Sequence, residues 1–169
     1  MVFRAIPWMT DDAVRFMFLF CDWFEETNGF KPSILELGMG ASTMFFVGRS
    51  KKVTSLEHDP DWYSRVVKCL DASDEQHLRA HCVGRPYSEK LNHLVGDEKF
   101  DLVSIDGRDR VACLREVLKL GLVAKNGVLV IDNTERISKQ NGKYATMVDL
   151  LRDDFNIVHF EQIGRDRAG

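Results

Sequence analysis

The residues best suited to binding a ligand lie in a short glycine-containing turn. The string ELGMGAS, from Glu36 to Ser42, follows an apolar run and precedes a segment with helical spacing. A turn whose backbone approaches a ligand closely needs residues without a β-carbon, and Gly38 and Gly40 meet that need. Glu36 also has a structural interpretation, as a buried carboxylate that caps nearby backbone amides. The third glycine of the dinucleotide-binding pattern is missing, so the turn alone does not specify a ligand.

A second acidic position follows about twenty residues later, where another apolar run ends in Leu56-Glu57-His58-Asp59. A carboxylate at the carboxyl end of a strand can accept hydrogen bonds from both hydroxyls of a ribose, so we predict that Glu57 binds one. The alternative is a solvated acidic loop. Asp59 precedes a proline and is predicted to cap a helix. Together, the turn and Glu57 predict an adenosyl-binding crevice, which fits a methyl donor or NAD.

Three oxygen-bearing side chains follow two later apolar runs: Asp106 comes after one, and Asp132 and Asn133 after the other. Neighbouring parallel strands lie roughly 4.8 Å apart, so these oxygens can converge. Mg²⁺ and Ca²⁺ prefer such ligands. In a metal-free alternative, Asp106 holds the cofactor's amino group, and Asp132 and Asn133 cap the turn.

The order of apolar runs and helical segments predicts an α/β fold with a doubly wound, mostly parallel sheet and right-handed crossovers. Six strands are predicted, at Ser33–Leu37, Lys52–Leu56, Leu78–Val83, Phe100–Ile105, Gly127–Ile131 and Phe155–Phe160. Helices are predicted between them, at Thr43–Arg49, Pro60–Leu70, Asp109–Leu122 and Tyr144–Arg152.

An additional helix is predicted at the N-terminus, beginning after Thr10. It is apolar on almost every side, so we expect it to be buried nearly all round. A second layer or a partner in a homodimer would cover it, and an apolar substrate is the remaining alternative.

Size and charge narrow the class of protein. The 169 residues fit one domain, 1–169, and the net charge of -3 gives no general attraction to nucleic acid or anionic membranes. The cysteines lack the close spacing of a zinc or redox motif and are expected to be buried free thiols: Cys21, Cys69, Cys82 and Cys113. No secretion signal or membrane-spanning run is visible, so we expect a cytoplasmic location.

Four strings resemble class I S-adenosylmethionine-dependent methyltransferases in order and spacing: ILELGMGAST, VTSLEHDPDWY, FDLVSIDGRDR and LVAKNGVLVIDNTER. The first contains Glu36 and Ser42 of the family's glycine signature. The resemblance implies that Gly38 and Gly40 flank the methionine part of the cofactor and that Glu57 binds the ribose. An acidic residue commonly follows the third strand, but Val83-Gly84-Arg85 stands here. The candidates for the adenine contact are then the Gly84 backbone, Tyr87 and His58.

DLVSIDGRDR and GVLVIDN resemble the Asp…Asp-Asn metal site of catechol O-methyltransferase-like enzymes, where the ion holds and acidifies a substrate hydroxyl. This implies Asp106, Asp132 and Asn133 as ligands of Mg²⁺ or Ca²⁺. The lysine base of those enzymes is missing, so Asp109 or Asp132 could accept the proton, or the metal alone could suffice.

We therefore predict an S-adenosylmethionine-dependent methyltransferase that acts on a hydroxyl of a small-molecule or sugar-like acceptor. A non-catalytic cofactor-binding or interaction module and, less favoured, an NAD-dependent oxidoreductase are the alternatives. Trp8, Met9 and the loop Thr134–Lys143 are predicted walls of the acceptor pocket. Four basic residues could bind an anionic acceptor or simply be surface charges: Arg108, Arg110, Arg136 and Lys139. The tail after Phe155–Gln162 is short and polar, so the family's seventh strand is expected to be missing.

Overall fold

The fold is seen in a computed structural model that describes residues 6–134 and 145–161. Five strands form one parallel sheet: β1 (Ser33–Leu37), β2 (Lys52–Glu57), β3 (Leu78–Cys82), β4 (Phe100–Ile105) and β5 (Val123–Ile131). The helices are α1 (Asp11–Asn28), α2 (Ala41–Val47), α3 (Pro60–Val67), α4 (Ala72–Glu75), α5 (Leu91–Val95), α6 (Arg110–Lys119) and α7 (Ala145–Leu151). A short 3-10 turn spans Tyr87–Lys90. The sheet order is β3-β2-β1-β4-β5, which confirms the doubly wound Rossmann-like fold.

The register of the sheet brings the predicted site residues together. Leu37, at the end of β1, lies beside Leu56 of β2 and Ile105 of β4. Ile105 in turn lies beside Ile131 of β5. The residues that follow these four strands therefore lie side by side at the carboxyl ends of the strands.

Both faces of the sheet are covered, as the apolar strand sequences predict. Ile34 of β1 packs in a cluster with α1 and α2, whereas its neighbour Leu35 packs in a cluster with α5, α6 and α7. Successive strand residues point to opposite faces, so each strand contributes to both clusters. Two hydrophobic layers therefore hold the strand ends in place.

Two helices begin at the predicted caps. The hydroxyl of Thr10 accepts a hydrogen bond from the amide of Ala13 at the start of α1. The Asp59 carboxylate accepts from the amides of Asp61 and Trp62 at the start of α3. Such caps stabilise a helix by roughly 0.5–2 kcal/mol each.

The described residues of the chain do not bury α1 all round, so the predicted second layer is not found among them, whereas cover by a homodimer partner stays a prediction. Met17 and Cys21 face the sheet and are buried, but Leu19 and Trp23 on the other side are about half exposed. On that outer side the ring of Phe16 contacts Phe160, but Leu19 and Trp23 keep about half of their surface in solvent.

The cysteine prediction is partly right. All four cysteines are free thiols, and Cys21 and Cys113 are buried within helices. Cys69 and Cys82 are exposed, because the first follows α3 at the surface and the second ends the edge strand β3.

The sixth strand is not found: residues 155–160 have no regular secondary structure, and the described residues contain five strands. The ring of Phe160 lies 5.6 Å from that of Phe16, so the segment runs toward α1. The side chain of Val158 is 69% exposed, whereas a core strand would bury such residues.

β5 starts four residues earlier than predicted. Asn126 adopts a left-handed φ of 64° inside an irregular part of the strand. The pairing with β4 shifts there, from Phe100 beside Val123 to Leu102 beside Val128. This irregularity in the pairing accommodates the polar residues without ending the strand. No helix in the described ranges is long and apolar enough to cross a membrane.

Candidate functional site

Glu36 lies in the interior, beneath the first turn of α2. Its carboxylate accepts hydrogen bonds from the hydroxyls of Ser42 (2.5 Å), Thr43 (2.7 Å) and Ser55. Burial raises the pKa of Glu36 to about 7, although the three hydroxyls act in the opposite direction. Its partners are hydroxyls rather than the backbone amides of the structural interpretation. Glu36 and Ser42 thus support the glycine turn from below, with their polar groups bonded to each other.

Gly38 is required by a close approach between two chain segments. Its φ is 109°, and a β-carbon there would lie 2.4 Å from the Cα of Gly107, which follows β4. A β-carbon on Gly107 would in turn lie 2.2 Å from the hydroxyl of Tyr87. Both glycines let the loops after β1 and β4 touch, which brings the predicted cofactor turn against Asp106.

Gly40 is the glycine of the turn that has free space beside its Cα. A β-carbon there would have only the hydroxyl oxygen of Ser42 nearby, at 4.0 Å. The Gly40 amide donates to the Thr43 hydroxyl at 3.0 Å, which fixes the backbone at the start of α2. The space over Gly40 is where a ligand can approach the main chain.

Glu57 ends β2 and faces this turn. Its Oε2 accepts a hydrogen bond from the amide of Met39 (3.2 Å), and its Oε1 accepts from the amides of His58 (2.7 Å) and Asp59 (2.8 Å). A carboxylate offers about four acceptor sites, so Oε2 can accept a further hydrogen bond. The carboxylate is thus fixed in orientation with one oxygen able to bind a hydroxyl.

Trp62 on α3 also holds the glycine turn. Its indole Nε1 donates to the carbonyl of Met39 at 2.7 Å. Met39 is therefore fixed at both main-chain groups, by Glu57 at the amide and by Trp62 at the carbonyl. This second contact was not expected from the sequence.

Two of the predicted adenine-binding residues lie together. The ring of His58 stacks on Tyr87, with centroids 6.1 Å apart and planes at 25°. The hydroxyl of buried Tyr87 donates to the carbonyl of Arg108 at 2.7 Å. A β-carbon on Gly84, in the loop after β3, would meet nothing within 4 Å, so the Gly84 backbone is accessible.

Arg85 and Asp109 form an ion pair beside these rings. The Arg85 Nε donates to Asp109 Oδ2 at 2.8 Å, and a second guanidinium nitrogen contacts Oδ1. The hydrogen bond from Arg85 lowers the pKa of Asp109. A carboxylate with a lowered pKa is a weaker proton acceptor, so the geometry argues against Asp109 as a catalytic base.

Two of the three predicted metal ligands, Asp106 and Asn133, meet at an arginine. The Nη2 atom of Arg110 lies 2.9 Å from Asp106 Oδ1, 2.6 Å from the Asp106 carbonyl and 3.0 Å from Asn133 Oδ1. Burial and the adjacent Asp132 carboxyl raise the pKa of Asp106, while the Arg110 guanidinium opposes the rise. Among the described residues, no group of three His, Cys, Asp or Glu side chains is placed to hold a metal ion. Asp106 Oδ1 and Asn133 Oδ1 are already engaged by the Arg110 guanidinium, so this arrangement does not fit a divalent ion at those two oxygens.

A cavity of about 620 Å³ lies next to this cluster, along the outer edge of β5. Met9, Phe16 and Asp132 are among the residues that line it. Met9, a predicted wall of the acceptor pocket, lines this cavity, whereas Trp8 is 82% exposed.

Two of the four predicted basic residues lie within the described residues. Arg108 is exposed, and Arg110 is turned inward to Asp106 and Asn133. Arg136 and Lys139, and the loop beyond Thr134, lie outside the described residues.

Three positions acquire roles that the sequence analysis missed. The Trp62 hydrogen bond and the Gly107 contact depend on tertiary approach, and no local signal marks them. Arg110 lies four residues after Asp106, but Asp106 precedes α6, so helical i,i+4 pairing does not predict this contact, which also depends on the fold.

Comparisons with solved structures assign the fold. PaMTH1 from Podospora anserina, a methyltransferase bound to S-adenosylhomocysteine, matches with a TM-score of 0.59 and 20% identity. The match covers 75% of this chain but only 54% of PaMTH1, so the chain spans about half of that protein. No protein-family model and no curated protein sequence matches the chain.

Two other matches cover more of the chain. A candidate O-methyltransferase from Klebsiella pneumoniae has a TM-score of 0.66 and 17% identity over 89% of this chain and 73% of its own. A candidate caffeoyl-CoA O-methyltransferase from Staphylococcus aureus has a TM-score of 0.64 and 17% identity, with 88% and 77% covered. The chain has the class I methyltransferase fold. The matching structures also include an N-methyltransferase and an rRNA methylase, so the fold does not fix the acceptor.

Proposed function

We propose that this chain binds S-adenosylmethionine and transfers its methyl group to a hydroxyl of a small-molecule acceptor. The observation that supports this most is the placement of Glu57 against the Gly38–Gly40 turn, with one carboxylate oxygen able to accept from a ribose hydroxyl. The fold shared with methyltransferases of known structure supports the same cofactor.

The proposed cofactor site runs along the carboxyl edge of the sheet. The methionine part lies over Gly38 and Gly40, Glu57 binds the ribose, and Asp106 is placed for the amino group. The adenine lies toward His58, with Tyr87 behind that ring and Gly84 at the side. These residues bind and orient the cofactor; its sulfonium supplies the activated methyl group.

The proposed acceptor site is the end of the β5 cavity that adjoins Asp132. Its lining combines apolar side chains such as Met9 with polar ones such as Asn133 and Thr134. Methyl transfer depends mainly on aligning the nucleophile with the methyl group and sulfur, so such walls can supply much of the catalysis. Asp132 is the remaining predicted proton acceptor, and we assign no step to Mg²⁺ or Ca²⁺.

A small-molecule or sugar-like acceptor is favoured over nucleic acid by the net charge of -3. The O-methyltransferase descriptions of two similar structures support oxygen as the methylated atom. A single domain over 1–169, a cytoplasmic location and a homodimer stay predictions.

The cofactor is tested by titration calorimetry with S-adenosylhomocysteine. Glu57→Gln removes the charge but keeps one oxygen, and we expect the dissociation constant to rise about 10- to 100-fold, the scale of a charge-assisted hydrogen bond. Glu75→Gln is the matched control, because this exposed carboxylate precedes β3 at the opposite edge of the sheet. Binding that is unchanged in Glu57→Gln would reject the assignment of the ribose site.

The reaction is tested with hydroxyl-bearing small molecules and an RNA sample, using radiolabelled methyl donor. Methylation of a hydroxyl acceptor is the expected result. Cofactor binding without transfer to any acceptor would favour the non-catalytic module. Binding of NADH in place of S-adenosylhomocysteine would favour an oxidoreductase.

A further inference from the structure

A buried arginine occupies the centre of the cluster that resembles a metal site. Arg110 is the first residue of α6, one turn after Asp106, and only 7% of it is exposed. Its Nη2 atom donates to oxygens of both Asp106 and Asn133, two of the three residues expected to bind an ion. A single nitrogen thus bridges the end of β4 and the end of β5.

The backbone supports this arrangement on the β5 side. Asn133 has a left-handed φ of 58°, a conformation that asparagine tolerates better than most residues. Its side chain is buried, and its Oδ1 points at Arg110 at 3.0 Å. The amide oxygen is therefore already engaged by a fixed positive charge.

A divalent ion and this guanidinium compete for the same oxygens. Mg²⁺ and Ca²⁺ require oxygens at about 2.0–2.6 Å, so an ion that used Asp106 Oδ1 and Asn133 Oδ1 would sit where Nη2 now lies. An ion placed slightly to one side would still face a neighbouring like charge.

We infer that Arg110 replaces the divalent ion of the metal-dependent enzymes that this cluster resembles, as a permanent cation that holds Asp106 and Asn133 in position. The guanidinium balances carboxylate charge and donates hydrogen bonds, but it is not a Lewis acid. Resting on the proposed function, the inference implies that methyl transfer needs no added metal. Arg110 is a positioning residue in this scheme.

Manganese binding, followed by the electron paramagnetic resonance signal of free Mn²⁺, tests the inference independently of activity. The wild-type protein is expected to leave the signal unchanged. Arg110→Gln removes the positive charge. The dissociation constant of this variant for Mn²⁺ should be at least about tenfold lower than that of the wild type, on the scale of charge repulsion at a partly buried site. Adding Asp132→Asn to Arg110→Gln should abolish the gained binding.

Circular dichroism shows whether the Arg110→Gln protein folds. If it does not, the Mn²⁺ titration of the wild-type protein alone tests the inference. Wild-type Mn²⁺ binding that is lost in Asp132→Asn would overturn the inference. A folded Arg110→Gln protein that gains no Mn²⁺ binding would also contradict it. Failure to bind S-adenosylhomocysteine would instead reject the proposed function and leave the manganese result standing.

Discussion

At the scale of single residues, Glu36 links the glycine turn to the pH dependence of folding. Its carboxyl has no exposed surface, and burial raises its pKa from 4.5 to about 7. Between these values the folded protein retains a proton that the unfolded chain releases. Folding stability contributed by this group is therefore complete below pH 4.5, falls as the pH rises, and is lost above about pH 7.

Replacing Glu36 with Gln should remove this pH dependence. Relative to the variant, wild type should lose about 3 kcal/mol of unfolding free energy between pH 4.5 and 8, because each unit of pKa shift corresponds to about 1.4 kcal/mol. Urea denaturation at both pH values measures the difference. Glu75→Gln, at an exposed carboxylate on α4, should retain the wild-type profile. Parallel profiles for wild type and Glu36→Gln would show that Glu36 ionises freely in the folded state.

At the scale of elements, α3 and β2 together fix the glycine turn through Met39. The β2 end supplies Glu57 for the amide, and α3 supplies Trp62 for the carbonyl. The turn is thereby ordered before a ligand arrives, which reduces the entropy lost on binding.

Trp62→Phe removes the indole N–H but keeps an aromatic ring. We expect the dissociation constant for S-adenosylhomocysteine to rise about two- to tenfold, since one hydrogen bond contributes roughly 0.5–1.5 kcal/mol. Calorimetric titration measures the change, and the melting temperature checks the fold. Trp23→Phe is the control, because that residue is about half exposed on α1. Equal affinities in the two variants would mean that the Trp62 bond does not order the turn.

The sequence predicted elements well where a local pattern determines them. β4 matches its predicted bounds, and α3 begins at the Asp59 cap as expected, because apolar runs and caps are local signals. Residues 155–160 are apolar enough for a strand, yet they run toward α1 and do not pair with β5, and no local pattern in the sequence determines that path. The Arg110 bridge was missed for a related reason: burial of an arginine depends on which oxygens the fold brings to it.

At the scale of the whole molecule, the strands of the sheet differ in how well they are protected from local opening. β1 and β4 are paired on both sides and covered on both faces, whereas β3 and β5 lie at the ends of the strand order in the described residues. Residues 155–160 have no strand partner there. Local opening should therefore be rarest at the centre of the sheet and most frequent along 156–160.

Hydrogen exchange measures this order directly. Amides of Leu35 and Val103 should exchange only through global unfolding, those of β3 through smaller openings, and those of 156–160 almost as fast as in an unfolded peptide. The test also decides between the two accounts of the last apolar run. Protection of alternate amides in 156–160 comparable to that of β5 would establish a sixth strand, as the sequence predicted. Rapid exchange would leave the β5 edge open beside the cavity, where the proposed acceptor site lies.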